Sequence, residues 1–270
     1  MTNAEWTRVH TIALAALIVA IGLGVMWGAD HGRLLLAWLF TLAALAAFTF
    51  VCGQGVTGRW LGALIDSRNV MSLARLQMIG WTILVLSAYL TAALSNIYSG
   101  ETDPLSIALP QELWLLMGIS ATSLVGSPLI LSMKIGKAPN ADEVARTFGR
   151  LAQQGDAPET LIAKGQIVAN KDLSMARISD IFTGEEVGNA AHLDLARLQM
   201  FFFTVVTLFA YAVMLGSMFI RHAGGAIGEL QPLDQSMVAL IAISNGGYLA
   251  SKAVPHSQEA AAEGSSGAPK

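Results

Sequence analysis

Residues 73–78 read Leu-Ala-Arg-Leu-Gln-Met, and residues 195–200 read the same six amino acids again. Each copy opens an uncharged run, 76–98 in the first and 198–220 in the second. A helix needs about 20 such residues to cross the hydrocarbon of a bilayer. The register continues behind the identity. Thr82 matches Thr204, Ala88 matches Ala210, Tyr89 matches Tyr211 and Pro110 matches Pro232; after a two-residue shift, Ile119-Ser120 matches Ile243-Ser244. A six-residue match alone arises by chance, but the ordered matches behind it argue for a duplicated helical hairpin that goes out and comes back. Both copies start on the same side. The repeat is therefore parallel, related by a pseudo-twofold axis along the membrane normal.

The rest of the chain has the same character. Of its 270 residues, 54% are hydrophobic and only 13% charged, against roughly a quarter charged in soluble domains. Three further uncharged or nearly uncharged segments, 11–29, 33–53 and 113–133, are long enough to span, and a shorter one, 235–251, is interrupted by Asn245, Gly246 and Gly247. The expected fold is an all-α integral membrane protein with about six transmembrane helices, a parallel duplicated hairpin and a cytoplasmic loop. The boundaries read as an N-terminal hairpin over 1–56, the first repeat over 57–133, the loop over 134–193, the second repeat over 194–254 and a disordered tail over 255–270. Arg8 followed by the apolar run from Thr11 to Trp27 lacks a clean small-residue cleavage site and reads as an uncleaved anchor.

Lys and Arg placement orients the helices. With the N-terminus inside, fourteen basic residues fall on the inner side and only Arg33 and Arg221 on the outer. Both termini are then cytoplasmic and the membrane is the inner membrane of a cell. A net charge of −3 argues against a nucleic-acid partner. The bilayer itself, a second copy of the chain and a cytoplasmic protein are the expected partners.

Several residues stand out inside the hairpins. Gln77 and Gln199 lie at matched depth near the inner boundary, where a buried amide needs a partner. They serve either as inter-helix glue, worth about 0.6–2 kcal/mol each, or as a paired polar constriction at the cytoplasmic mouth of a pore. Arg75 and Arg197, one turn into each repeat, are placed to snorkel to lipid head groups. The returning helices carry Ser120, Ser123 and Pro128 in one copy, and Ser244, Asn245, Gly246 and Gly247 in the other. These serve either close packing or a hydroxyl-lined path broken at Pro128 and Gly246-Gly247.

In the loop, Val144, Phe148 and Leu151 at helical spacing predict an amphipathic helix over 141–153. Residues 165–169 read as a short strand and 175–182 as a second short helix. Glu185-Glu186 reads as a solvated turn.

No catalytic, metal or cofactor constellation emerges. No His, Asp, Glu, Lys or Arg lies in the middle of a span, as coupled carriers generally require. Cys52 is the only cysteine. The motifs of nucleotide and zinc sites are absent. Two function classes lead: a non-enzymatic oligomeric subunit or scaffold that presents the loop to a partner, and a passive channel for small solutes or ions. An intramembrane enzyme is third.

Overall fold

A computed structural model describes residues 6–155, 158–222 and 224–258. Helix accounts for 68% of the chain, which fits an all-α protein. Among the described residues seven α-helices follow one another: α1 (Arg8–Asp30), α2 (Leu34–Thr57), α3 (Leu73–Tyr98), α4 (Gln111–Ile135), α5 (Ala141–Gln153), α6 (Leu195–Arg221) and α7 (Gln235–Ala253). Among the described residues, α1, α2, α3, α4 and α6 are long and apolar enough to cross a membrane. The 19-residue α7 is not among them, because Ser244, Asn245, Ser251 and Lys252 dilute its apolar residues. It is nevertheless one continuous helix through Gly246-Gly247, and α4 runs unbroken through Pro128. The expected breaks at both places do not occur. Pro128 lacks a backbone N–H, but the turns on either side of it continue the helix.

Both copies of the Leu-Ala-Arg-Leu-Gln-Met segment start a helix at their first residue, Leu73 in α3 and Leu195 in α6. Asp194 caps the second start by accepting from the N–H groups of Ala196 (2.9 Å) and Arg197 (3.2 Å), which satisfies two of the four donors that a helix N-terminus leaves open.

The chain packs as two compact units. The first is drawn from Met1–Leu64, Leu73–Leu124 and Met200–Asn245 within the described residues. It is built on aromatic and small residues. Trp81 and Tyr211 are fully buried with ring centroids 6.1 Å apart, and Trp38 stacks on Phe219 at 5.7 Å. The Trp38 indole N–H donates to Ser87 Oγ at 3.0 Å, so the polar end of a buried ring is satisfied. Where α1 crosses α2, Gly28 faces Ala37 so closely that an added methyl would lie 2.5 Å from the Ala37 Cβ. The matched tyrosines play matched roles: Tyr89 donates to the Leu105 carbonyl and Tyr211 to that of Gln231. The connectors between the helices of each hairpin are tied together. Ala108 N–H donates to Gly228 O (2.8 Å), Leu230 N–H donates to Ala108 O (3.1 Å), and the Asn96 amide bonds both the carbonyl and the N–H of Ile227.

Outward faces of the long helices are apolar. Val9, Ile12, Ile18, Val19 and Leu23 on α1 are more than half exposed, as are Phe202, Val206, Phe209, Val213 and Ile220 on α6. Such faces are what hydrocarbon solvates and water does not.

The second unit comprises Ile65–Ser72, Val125–Gln199 and Gly246–Lys270 within the described residues. It takes in more than the polar loop: the turn before α3, the C-terminal parts of α4 and α7 and the first turn of α6 belong to it. The expected helix over 141–153 is present as α5, started by the Asn140 side chain, which accepts from Asp142 N and Glu143 N. Its Leu151 packs with Leu161, Val168, Val187 and Ala190 in a small core. The expected strand is half of an antiparallel hairpin, β1 (Leu161–Lys164) and β2 (Ile167–Asn170). Gly165 in its turn has φ +58°, and its missing side chain makes room for the Ile135 carbonyl at the end of α4. Residues 175–182 differ from the expected single helix. They form two short 3₁₀ turns, Leu173–Met175 and Ile178–Ile181, separated by extended Ala176 and Arg177. The Asp180 carboxylate draws in the Arg177 N–H at 2.8 Å, restarting the chain as a capped turn. Most of the expected disordered tail, 259–270, lies outside the described residues.

Candidate functional site

At the heart of the second unit sits the pair that reads as a solvated turn in the sequence. The structure corrects that reading: Glu185 is 7% exposed and Glu186 2%. A buried carboxylate is tolerated only when paired and hydrogen-bonded, and both of these are. Glu185 Oε1 accepts from Arg68 at 2.6 Å and from Arg197, while its Oε2 meets the Lys252 ammonium. Glu186 Oε1 accepts from Lys134 at 2.5 Å, and its Oε2 from the N–H groups of His256 (2.9 Å) and Ser257 (3.2 Å).

Each cation comes from a different element. Lys134 and Lys252 stand in the last turns of α4 and α7, Arg197 in the first turn of α6, and Arg68 in the turn before α3. That turn is made by Asp66, whose carboxylate receives the Arg68 N–H and guanidinium, and by Asn69 at φ +60°, a conformation asparagine tolerates. Asn69 and Asn170 then exchange amide-to-carbonyl bonds of 2.9 and 2.8 Å, fastening the turn to β2.

The cations are further fixed by neutral groups. Lys252 donates to Ser127 Oγ and, at 2.6 Å, to the Tyr248 hydroxyl. Its ammonium lies 4.6 Å from the centre of the Tyr248 ring, a cation–π distance. Lys134 also donates to the carbonyls of Lys252 (2.6 Å) and Val254 (2.8 Å), and Arg197 to that of Asp180 (2.7 Å). Burial by itself pushes the Glu185 carboxyl upward, but Arg197, Arg68 and Lys252 outweigh it and hold the group well below the usual carboxylate range. Glu185 is therefore a permanent anion at physiological pH.

The stretch after α7 is held by main-chain bonds. Beyond the Glu186 contacts, Ser257 Oγ accepts from Gly188 N at 3.0 Å, Gln258 N donates to Glu143 at 2.8 Å, and Gln258 O accepts from Asn140 N at 3.1 Å. Residues 254–258 thus form a strap across the unit, although the composition from 255 onward reads as disordered.

The residues singled out from the sequence are divided by the structure. Arg197 is not a lipid contact: it is 2% exposed and spent on Glu185. Arg75, at the same place in the first six-residue segment, is half-buried and donates to the Ala63 carbonyl at 3.3 Å. Gln77 is fully buried, yet neither its amide nitrogen nor its oxygen has a partner among the described residues, while Gln199 is exposed. Their matched places in the two six-residue segments do not give them matched surroundings, and the expected glue bond of Gln77 to the returning helix is not made among the described residues. Ser120 donates to Leu116 O, Ser123 donates to Asn245 Oδ1 at 2.5 Å, and Asn245 donates to Ile241 O. Ser244 is buried without a partner among the described residues. These groups are packed against one another. Pro128, Gly246 and Gly247 are exposed, and a methyl placed on either glycine would meet nothing within 4 Å.

An unpartnered buried amide costs about 1–3 kcal/mol. Gln77→Leu, which removes it at similar volume, is therefore expected to raise the midpoint of thermal unfolding in detergent. Gln199→Leu at an exposed position should stay within about 0.5 kcal/mol of the parent. A fall in stability for Gln77→Leu would mean that the amide is satisfied after all.

Sequence reasoning missed the cluster because its members are far apart in the chain, Arg68 and Glu185 being 117 positions apart. One signal was there. Lys134 and Lys252 each close a returning helix, and two adjacent carboxylates occupy the segment between the hairpins. Among the described residues no group of three or more His, Cys, Asp or Glu is placed to hold a metal ion. Comparison of the chain with protein-family models, with curated proteins and with solved structures finds no match.

Proposed function

We propose that this is a multi-pass membrane protein that serves as a non-enzymatic scaffold or subunit, with the polar loop folded into a fixed platform for a protein partner. The observation that carries this reading is the use of Glu185 and Glu186. Every cation of the cluster stands on a different helix end or turn, so the pair holds the platform in one place. A loop serving only as a connector has no need of four buried cations. The hydroxyl and amide groups of Ser120, Ser123 and Asn245 are engaged within the chain, which favours the scaffold over the channel.

In this reading α7 is the sixth span, both termini are cytoplasmic and the membrane is the inner one. The exposed Gly246-Gly247 pair on α7 and the apolar outward faces offer room for close backbone approach, and the protein associates with further copies of itself through them. Two experiments test the proposal. In a Cys52→Ala background, a cysteine in place of Asp103 should react with an impermeant reagent from outside the cell, and one in place of Lys164 only after lysis; the reverse pattern overturns the orientation. Liposomes carrying the purified protein should show no flux of small solutes or ions above that of empty vesicles. Selective flux would move the protein to the channel class.

A further inference from the structure

The last turns of α6, at the far end of that helix from Arg197, carry a groove of about 550 Å³. Ala210, Val213, Met214, Ser217, Met218 and Arg221 line it as one strip, because their spacing of three and four puts them on a single face of the helix. At about 1.5 Å of rise per residue the strip is about 16 Å long. That is close to the depth of one leaflet, half of a hydrocarbon core about 30 Å thick. Gln231, from the stretch before α7, lines the groove as well, and the Tyr211 hydroxyl fixes it by donating to its carbonyl at 3.0 Å. The body of the groove is apolar, and Met214 and Met218 are side chains that adapt readily to an irregular occupant.

The end of the strip at Arg221 is polar and one-sided in charge. Arg221 reaches back one turn over the groove, where its Nε (2.9 Å) and one terminal nitrogen donate to Ser217 Oγ. The other edge of its fork has no partner among the described residues. No carboxylate lines the groove, and Arg221 makes no ion pair among the described residues. Glu229 and Asp234, the acids of the stretch before α7, are not on its wall, and Asp234 accepts from Ser236 N at 2.8 Å. His222 is on the wall, but its Nε2 donates to the Gly225 carbonyl at 3.2 Å. A cation whose partner is a neutral hydroxyl therefore stands at the head of an apolar strip one leaflet deep.

We propose that this groove holds one membrane glycerophospholipid, with its phosphodiester on Arg221 and one acyl chain along Met218, Met214, Val213 and Ala210. The open edge of the guanidinium matches two phosphate oxygens in parallel bonds. With the phosphate at the end of the helix, the chain follows the strip to the middle of the bilayer. A free inorganic anion leaves the strip uncovered, and an uncharged amphiphile leaves Arg221 with Ser217 alone. The lipid contact that the sequence suggests for Arg197 thus falls at the opposite end of the same helix. The site rests on α6 lying in a membrane. It needs neither the scaffold reading nor the proposed orientation, which the flux and labelling experiments test separately.

The test uses the full chain, freed of lipid in detergent at constant ionic strength, with dioleoyl phosphatidylglycerol as the probe. Dioleoylglycerol supplies the chains without the phosphate, and glycerophosphate supplies the phosphate without the chains. Phosphatidylglycerol should raise the unfolding midpoint along a saturating curve, and neither control should do so. Arg221→Gln, at an exposed position, should raise the half-saturation concentration about tenfold, the loss of one good charged contact. Native mass spectrometry of the unaltered protein should show one retained phosphatidylglycerol, an answer that does not depend on the variant folding. Equal curves for phosphatidylglycerol and dioleoylglycerol overturn the proposal, as does saturation by glycerophosphate alone. So does an Arg221→Gln variant that folds and binds phosphatidylglycerol unchanged; if that variant instead loses self-association, the groove is a seat for a second copy of the chain.

Discussion

Glu185→Gln is expected to lower the stability of the folded chain by about 3–5 kcal/mol, the range seen when one partner of a buried charge pair is removed. The variant keeps the volume of the side chain and takes away the charge that Arg68, Arg197 and Lys252 share. Three cations are then left buried together with no anion at their centre, repelling one another in a medium of low polarizability. An exposed carboxylate in a turn would behave differently, with an effect within about 0.5 kcal/mol. Thermal or denaturant unfolding in detergent, followed by the near-ultraviolet signal of the tryptophans, separates the two outcomes. The pH dependence carries the same information. The folded-state pKa of Glu185 is depressed, and its unfolded value is about 4.3. Its contribution is therefore complete above roughly pH 5 and is lost as the pH falls through and below about 4. Glu185→Gln should remove that part of the acid sensitivity.

Lys134→Met is the second large effect, about 3 kcal/mol or more by the same rule. It strips Glu186 of its only side-chain cation among the described residues, and it removes two bonds to the carbonyls of Lys252 and Val254. The consequence should be local as well as global. The strap over 254–258 loses a direct tie at Val254, and the Glu186 carboxylate that receives the His256 and Ser257 N–H groups loses its anchor. Amide exchange at His256 and Ser257 should accelerate, while that of Leu84 and Val85 in the core of the first unit should change only by the global amount. Equal acceleration everywhere would show that the strap is not a separate consequence of Lys134.

Much of the fold was legible in the sequence because its signals are local. Long uncharged runs find α1, α2, α3, α4 and α6, and the spacing of Val144, Phe148 and Leu151 finds α5 at its observed ends. The same local reading failed where tertiary pairing decides. A carboxylate pair beside Gly184 looks like a solvated turn until cations from four distant elements close on it. Arg75 and Arg197 hold the same place in two identical six-residue segments, yet Arg197 reaches the Glu185 carboxylate, twelve residues before it, while Arg75 donates to the Ala63 carbonyl. Gln77 and Gln199 part company for a similar reason: the shared six residues fix each one's place along its helix, and neighbours set its burial. The strap after α7 has a composition of small and polar residues that local rules assign to disorder, but its contacts are made by backbone groups that composition does not reveal.

The polar segment is folded around the buried pair Glu185 and Glu186. Hydrogen exchange of the full chain in lipid nanodiscs, read by mass spectrometry over residues 161–192, tests it directly. The amides of Val168, Val187 and Ala190 should exchange slowly and cooperatively, collapsing to fast exchange in Glu185→Gln. Exchange of this segment at the rate of an unstructured chain in the unaltered protein would contradict it.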